Sequence, residues 1–559
     1  MMMICNVLLD EKQSENLSIV FKYKHPNHDG ERLFTFKRSI TESLDCCCKR
    51  MKINLEKAFN AINKKKKKTN NSGDATNDNF AIKFYRNNIE VDDNIQNKDF
   101  WKDGSTMSIN GIDYCIKFNY PHISEISLSN IILTGYFTYP YLEIINGNIT
   151  DSKFLWFRSK DSLEWTLVGE EFLYEVKQED LDYKLKIVCI PMLNTNEGIS
   201  KEAISPKTIS KGPENCPFEK SFIHTREKLT DSFRIVSYNL LANLYANSEY
   251  SKDVLYSYCK DCYLDFSYRK TLLIKELIGY NGDIYFLQEL DSIFYRKGLN
   301  PILKFSGLDS YFIAKESNSE GLCIAYRYSR FECLQKQAHT YSDMLINNEQ
   351  FEFLQLKISK NQQLFDRIKK LKNTFQIILL KSKIENKNKL LILCNLHLYS
   401  KDDADHIRLI QTFITIKYIE NFLNELNANE NYRHCQITTI VSGDFNSTPE
   451  FGVLKFIKNK TVDSTLEDFR SNESEVINEH FVWEHQLNFE SACGFPKYTH
   501  YAEHFQGCLD YIFYDPNNLK VLNIVPMIEH QEVIKEIALP NQKIPSDHLP
   551  LICTVAWNK

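Results

Sequence analysis

Six apolar segments in the C-terminal part of the chain each carry polar residues at or beside one end. The segments are FRIVSYNLL, DIYFLQELD, LLILCNLHLYS, TTIVSGDFN, GCLDYIFYD and PSDHLPLICTVAW. Amphipathic helical patterns such as YRKTLLIKELIGY and RLIQTFITIKYIENFLNEL occur between them. Apolar strands therefore alternate with helical segments after about residue 218.

The polar residues of these segments are of types that bind metals or transfer protons, and they are Asn239, Gln288, Glu289, Asn395, His397, Asp444, Asn446, Asp510, Asp547 and His548. Taken singly, Asn239 could cap a strand, His397 could be a satisfied core histidine, and Asp547 could cap a turn. Asp510 could pair with a lysine or a backbone group. As a set they favour one shared cleft, because a buried carboxylate is costly unless it is paired or metal-bound.

The ligand types indicate a hard cation. Glu289, Asp444 and Asn446 offer oxygen atoms and no thiolate, which suits Mg²⁺ or Mn²⁺ better than Zn²⁺. Mg²⁺ keeps several of its waters and favours phosphate substrates.

The two histidines of the set suit acid–base work. Asp547, or another carboxylate, could orient His548 as a general base toward water. His397 and Asn239 could contact phosphoryl oxygens as charge develops on them.

The length of 559 residues is too great for a single core, so we expect at least two domains. We predict four regions: a hairpin and helix segment with a flexible Lys/Asn-rich loop, a β-rich immunoglobulin-like domain, a linker, and a C-terminal catalytic domain. Their predicted bounds are 1–79, 80–210, 211–228 and 229–559.

The N-terminal half carries strand and turn patterns and no catalytic set. The alternation in 17–38 around NHDG predicts a hairpin, and ITESLDCCCKRMKINLEKAFNAI predicts a helix. Trp156, Tyr174 and Cys189 lie in short strand-like segments and are expected in a β core. Further along, 337–373 is expected to be partly helical and outside the main sheet.

The bulk properties exclude some classes of protein. A net charge of -5 excludes a generally basic nucleic-acid coat, so any nucleic-acid contact must use a local patch. The 16 scattered cysteines, including the adjacent Cys46, Cys47 and Cys48, predict a reducing, intracellular compartment. No apolar run approaches the roughly 20 residues of a membrane helix, and the acidic N-terminal segment does not look like a secretory signal or a presequence.

The ordered motifs SYNLLA, LQELD, NLHLYS, GDFNSTP, LDYIFY and PSDHLPL resemble the endonuclease/exonuclease/phosphatase superfamily. The segments YSYCKDCYLDFSYRKTLLIKELIGYNGDIYFLQELD and SACGFPKYTHYAEHFQGCLDYIFY resemble its branch of carbon-catabolite-repressor-type deadenylases. The resemblance covers about Phe233 to Lys559. It implies a four-layer α/β sandwich, two sheets flanked by helices, after a mainly β, immunoglobulin-like N-terminal region.

The resemblance also implies an activity. It implies an enzyme that uses Mg²⁺, with Mn²⁺ as the alternative, to hydrolyse RNA phosphodiesters. The implied substrates are 2′,5′-linked oligoadenylate and poly(A) 3′ ends, and the implied product is AMP. It implies RNA as the partner, with no membrane. It implies the mitochondrial matrix as location, with the cytoplasm as the alternative because no presequence is evident.

Carried over residue by residue, the resemblance implies that Glu289, Asp444 and Asn446 bind the metal. Asp444 would also transfer a proton, and His548, paired with Asp547, would activate water.

The resemblance further implies that Asn239, His397 and Asp510 bind or orient the phosphate, with Asn446 also at the substrate. The same scaffold in other enzymes hydrolyses phosphoinositides, sphingomyelin or abasic DNA, which is the alternative substrate class. A non-enzymatic scaffold would be expected to lack Glu289 or His548, and this chain has both.

Overall fold

The computed structural model describes residues 3–9, 15–26, 30–67, 80–317, 319–384 and 388–558, and the chain divides into two units. The first unit consists of Met1–Leu128, Pro140–Phe172 and Lys184–Ser205. The second consists of Ser129–Tyr139, Leu173–Tyr183 and Pro206–Lys559. No helix within the described ranges is both long enough and apolar enough to cross a membrane.

The first unit begins with a seven-stranded sheet in the order β3-β2-β1-β7-β6-β4-β5. Its strands are β1 Met3–Leu9, β2 Asn16–Lys24, β3 Glu31–Ser39, β4 Ile82–Arg86, β5 Ile89–Glu90, β6 Ser105–Ile109 and β7 Ile112–Phe118. Its helices are α1 Leu44–Lys67 and α2 Asn97–Phe100. Helix α1 packs Leu44, Met51 and Leu55 into the core of this sheet at helical spacing.

The predicted hairpin and helix are confirmed, because β2 pairs antiparallel with β3 and α1 follows them. The hairpin turn at 27–29 lies outside the described residues. The flexible loop is expected from Lys64 to about Asn79. Its predicted start is wrong, because residues 64–67 continue α1, and residues 68–79 lie outside the described ranges. The structure differs from the boundary expected at residue 79, since β1 pairs parallel with β7 and strands from both sides of that position share one sheet.

The remaining strands of the N-terminal half form small sheets, which confirms a mainly β region. They are β8 His122–Ser127, β9 Phe137–Thr138, β10 Tyr141–Ile145, β11 Asn148–Ser159, β12 Thr166–Gly169, β13 Tyr174–Glu175, β14 Lys184–Leu193, β15 Asn196–Glu197 and β16 Lys201–Ile204. Trp156 on β11 and Cys189 on β14 are fully buried core residues, as expected. Strands β9 and β13 pair with each other and belong to the second unit.

The second unit contains two six-stranded sheets, in the orders β19-β20-β18-β17-β32-β31 and β21-β22-β23-β24-β30-β27. The strands of this part of the chain are β17 Ser232–Asn239, β18 Ile284–Asp291, β19 Leu308–Ala314, β20 Glu320–Arg327, β21 Phe331–Thr340, β22 Thr374–Ser382, β23 Lys389–His397, β24 Gln436–Asp444, β25 Thr461–Asp463, β26 Val482–Glu484, β27 Glu490–Ser491, β28 His500–Tyr501, β29 Gln506–Gly507, β30 Asp510–Tyr514, β31 Leu519–Ile524 and β32 Leu551–Trp557.

Helices accompany both sheets of the second unit. They are α3 Asn243–Ala246, α4 Asp261–Leu264, α5 Phe266–Gly279, α6 Ser292–Phe294, α7 Asn300–Phe305, α8 Tyr341–Asn347, α9 Glu352–Ile358, α10 Gln362–Lys370, α11 Asp405–Ala428, α12 Gly452–Asn459 and α13 His530–Val533. Helices α8 to α10 confirm that 337–373 is partly helical. The expected linker at 211–228 contains a 3-10 helix, Pro217–His224, and Thr225 donates a hydrogen bond to the carbonyl of Gly279.

Alternating burial along the apolar strands explains the predicted four-layer α/β sandwich, which is confirmed. On β22, Ile378 and Leu380 pack into the core between the two sheets. Ile377 and Leu379 point to the opposite face and pack into the core that contains the helices around α11. Successive strand residues point to opposite faces, so an uninterrupted apolar run is what a strand with two buried faces requires.

Candidate active site

Asn239 links the two sheets at the end of β17. Its amide Nδ2 donates to Glu289 Oε1 and to Asp444 Oδ2, both at 3.0 Å. Its Oδ1 accepts from the backbone N–H of Leu241 at 3.0 Å. Asn239 is fully buried, so its side chain is oriented by these three hydrogen bonds and not by bonds to water. The residue joins two carboxylates that come from different sheets.

Glu289 reaches the site through an irregularity in β18. The pairing of β18 with β20 shifts register between Leu287 and Leu290, and Glu289 has a φ of 53°. Such an irregularity redirects a side chain at the end of a strand. Glu289 Oε2 accepts from the backbone N–H of Ala242 at 2.9 Å. Burial, reinforced by the charges of Asp547 and Glu320, raises the pKa of Glu289 to about 8.

Asp444 and Asn446 occupy the turn that ends β24. Gly443 has a φ of 147°, and a Cβ there would lie 2.0 Å from the carbonyl oxygen of Leu396, so the close approach of β23 requires glycine. Asp444 Oδ1 accepts from the N–H of Asn446 at 2.8 Å, and Asn446 Nδ2 donates to Leu398 at 3.0 Å. Burial and the nearby Asp510 raise the pKa of Asp444 to about 6.

His548 is oriented by Asp510. Its Nδ1 lies 2.8 Å from Asp510 Oδ2, and its Nε2 lies 3.7 Å from Asp444 Oδ2. The expected pairing of His548 with Asp547 is therefore wrong. The two are consecutive, and consecutive side chains of an extended segment point to opposite sides. Burial lowers the pKa of His548, but the carboxylates of Asp510 and Asp444 outweigh burial and hold that pKa well above its ordinary value.

Asp547 instead contacts two residues that the sequence analysis missed. Its Oδ2 lies 3.2 Å from His500 Nε2 and accepts from the hydroxyl of Tyr256 at 2.7 Å. Burial opposes the charged form of Asp547, but these partners outweigh it and lower the pKa. The rings of His500 and His548 lie 4.7 Å apart. Neither His500 nor Tyr256 follows an apolar strand, so the strand-end pattern could not find them.

His397 ends β23 and faces the carboxylates at longer range. Its Nε2 lies 3.6 Å from Asp444 Oδ2 and 3.9 Å from Glu289 Oε1. Burial, with the Lys315 and His548 cations, holds the pKa of His397 well below its ordinary value. The imidazole is therefore neutral near pH 7, which leaves Nε2 suited to a metal or a phosphoryl group.

The charge and donor set of this cluster fit a divalent cation. Ligand atoms lie within 4.8 Å of one another both in Glu289, His397 and Asp444 and in Asp444, Asp510 and His548. Asp510 Oδ1 is buried and has no hydrogen-bond partner among the described residues. Buried carboxylates with raised pKa values lose their electrostatic cost when a cation joins them. Asn446 borders the same cluster through its bond to Asp444.

Comparisons with known proteins identify the family to which the chain is similar. The sequence pattern of the Endonuclease/Exonuclease/phosphatase family matches residues 236–548. The 2′,5′-phosphodiesterase 12 of Homo sapiens is 33% identical over 503 residues, which cover 85% of this chain and 80% of that protein. The CCR4-Not complex 3′-5′-exoribonuclease subunit of Mycosarcoma maydis is 25% identical over 355 residues, 58% of this chain and 50% of that one. The solved structure of ANGEL2, a 2′,3′-cyclic phosphatase, is 20% identical with a TM-score of 0.46, and covers 58% of this chain and 96% of that one.

Proposed function

The chain belongs to the endonuclease/exonuclease/phosphatase family and is similar over most of its length to 2′,5′-phosphodiesterase 12, and from this premise we propose that it is a Mg²⁺-dependent 3′-5′ exoribonuclease. Membership makes it a hydrolase of phosphoesters. The proposed substrates are 2′,5′-linked oligoadenylate and the poly(A) 3′ ends of RNA, and the proposed product is AMP. Relatives named for a 2′,5′-phosphodiesterase and for a 3′-5′ exoribonuclease support the two linkages.

The observation that carries the proposal is the cluster of carboxylates where strand ends of the two sheets meet. In the proposed assignment, Glu289, Asp444 and Asn446 hold Mg²⁺, with Mn²⁺ as a possible substitute. The bound cation would neutralise charge on the scissile phosphate. Asn239 holds Glu289 and Asp444 together with its amide, so the carboxylates are placed before any ligand arrives.

His548 is the proposed general base. Asp510 Oδ2 accepts a hydrogen bond from Nδ1 of the His548 ring. The other ring nitrogen, Nε2, is therefore directed toward Asp444. Asp444 stabilises the protonated ring while it is itself charged and unbound. His548 would accept a proton from water at Nε2, with Nδ1 held by Asp510. His397, neutral beside the same carboxylates, is the proposed contact for a phosphoryl oxygen.

Product analysis on two adenylate trimers, one 2′,5′-linked and one 3′,5′-linked, tests the proposal. The purified protein is assayed with Mg²⁺ and with EDTA, and Glu289→Ala serves as the matched inactive variant. We expect AMP from both trimers with Mg²⁺, none in EDTA and none from the variant. Absence of AMP from both trimers, together with cleavage of a phosphoinositide, sphingomyelin or abasic DNA, would contradict the proposed substrate class.

A further inference from the structure

Arg269 on α5 is a fully buried arginine whose hydrogen bonds go to the backbone of three separate segments. Its Nε donates to the carbonyl of Leu264 at 3.2 Å. Its Nη1 lies 3.3 Å from the carbonyl oxygen of Leu240, 2.9 Å from that of Leu241 and 3.1 Å from that of Pro545. A guanidinium presents several donors in a fixed plane, which allows one side chain to join several segments.

The first of these segments places the proposed metal ligand Glu289. Leu241 has a φ of 54°, a conformation that a leucine adopts only when its surroundings hold it there. Its N–H donates to Asn239 Oδ1, and the next N–H, that of Ala242, donates to Glu289 Oε2 at 2.9 Å. The hydrogen bonds from Arg269 to the carbonyls of Leu240 and Leu241 therefore hold the turn that presents a donor to the Glu289 carboxylate.

The second segment carries the proposed base. Pro545, whose carbonyl accepts from Arg269, precedes Ser546, and the Ser546 hydroxyl donates to the carbonyl of Asn239 at 2.8 Å. Asp547 and His548 follow directly. Arg269 thus joins the strand end with Asn239 to the segment with His548, next to the direct bond from Ser546.

We propose that Arg269 is a positioning residue that holds the Glu289 and His548 segments in register for metal binding and catalysis. The inference rests on the proposed function. Partners that orient metal ligands without touching the metal typically change metal affinity by about 10- to 100-fold when they are removed. A residue that only stabilises the fold would change the melting temperature and leave the affinity of the folded protein unchanged.

The test is titration of the full-length protein with Mn²⁺ alone, followed by calorimetry and by the Mn²⁺ EPR signal, without substrate. Arg269→Met removes the donors and keeps the stem. Arg234→Met is the matched control, because Arg234 is also buried and donates to the carbonyls of Thr225 and Asn281 at 3.0 and 2.8 Å, well before the strand end. We expect Arg269→Met to weaken Mn²⁺ binding at least about tenfold and Arg234→Met to leave it unchanged.

Equal Mn²⁺ affinities in folded Arg269→Met and wild type would overturn the proposal, and so would equal losses in both variants. If Arg269→Met does not fold, Arg269→Lys is the second variant. Its ammonium ends one bond short of the Nη1 position that contacts Leu240, Leu241 and Pro545, so it should also weaken Mn²⁺ binding. With the adenylate trimers, kcat should fall about tenfold or more while KM changes less. If wild type releases no AMP, the proposed function is wrong. The Mn²⁺ affinities of Arg269→Met and wild type would still test the positioning role of Arg269.

Discussion

The buried polar side chains between the two sheets of the second unit differ from those at the sheet edge in charge and in their partners. Between the sheets, Gln288 Nε2 donates to Asn395 Oδ1 at 2.8 Å. Asn395 Nδ2 donates to the carbonyls of Leu287 and Cys323 at 3.0 and 3.1 Å. These amides are neutral, and their nitrogen atoms have acceptors within the protein.

At the strand ends, the neighbouring residues of the same strands are a carboxylate and a histidine that face the further carboxylate of Asp444. Glu289 follows Gln288 directly, and His397 is two residues beyond Asn395 on the same face of β23. Glu289 and Asp444 both share one amide, that of Asn239, and have raised pKa values. Neutral groups can complete one another's hydrogen bonds within a protein, whereas adjacent carboxylates need a proton or a cation. The comparison separates polar residues that stabilise the sandwich from those that bind a ligand.

The largest expected effect is that of Glu289→Ala at the edge. We expect AMP release to fall by about 10³-fold or more, because a metal contributes several kcal/mol to the transition state. The variant should stay folded, as judged by its circular dichroism spectrum, because the change removes a proposed ligand and not core volume. Glu276→Gln, which changes another buried carboxylate, is the control. If Glu289→Ala turns over substrate as fast as wild type at saturating Mg²⁺, Glu289 is not a metal ligand, and its role does not differ from that of the polar residues between the sheets.

His548→Ala should lower kcat by roughly 10²- to 10³-fold through loss of the proposed base. The control is His485→Gln, because His485 is buried as well but its Nε2 lies 3.1 Å from the carbonyl of Phe456 on α12. A single-turnover assay across pH checks this prediction. Wild-type activity of His548→Ala at every pH would mean that another group accepts the proton.

The two aspartates beside His548 can be separated by paired variants. Asp510→Asn removes the carboxylate bonded to Nδ1 and should lower kcat about tenfold more than Asp547→Asn. Asp547→Asn breaks contacts with His500 and Tyr256 and should mainly affect the position of this segment. Steady-state kinetics of both variants are the measurement. If Asp547→Asn lowers kcat more than Asp510→Asn, the result would support the predicted pairing of His548 with Asp547.

In the interior, Asn395→Leu should destabilise the protein by about 2 kcal/mol, because it leaves the carbonyls of Leu287 and Cys323 without their donor. Denaturant unfolding of the variant measures the loss. The kcat of the folded fraction should stay within about twofold of wild type, since no edge residue is changed. A large fall in kcat with an unchanged free energy of unfolding would place Asn395 in the site.

The smallest effect concerns Glu276, a buried carboxylate without a neighbouring carboxylate. It accepts from the hydroxyls of Tyr238 and Tyr280 at 3.0 and 2.8 Å, and burial raises its pKa to about 8. The folded state therefore binds this proton more tightly than the unfolded state, and the associated stability is lost as pH rises from about 4.5 through 8. Glu276→Gln should reduce the difference in unfolding free energy between pH 6 and 7 by about 1 kcal/mol.

Denaturant unfolding of the Glu276→Gln variant and of wild type at both pH values measures that difference. An unchanged difference would mean that Glu276 is ionised when folded.

Much of the fold and site could be predicted from local pattern. The pattern predicted apolar strands that alternate with helices, and the ordered motifs predicted the family, which the comparisons confirm. Strand-end position brought Asn239, Glu289, His397, Asp444 and His548 into one candidate set, and the structure gathers them at one edge. The roles proposed for them stay predictions. Local pattern succeeds here because the spacing of apolar residues and the choice of turn-forming residues depend only on residues near one another in sequence.

Local pattern is enough to locate the apolar strands, their ends and the donor atoms at those ends. The folded chain is needed to show that Asp510 and not Asp547 bonds His548, that His500 and Tyr256 contact Asp547, and that β1 pairs with β7 across the expected boundary. The physical reason is that these contacts join residues far apart in sequence. Strand register, the irregularity at Glu289 and the direction of each side chain set them, and none of these leaves a local pattern in the chain.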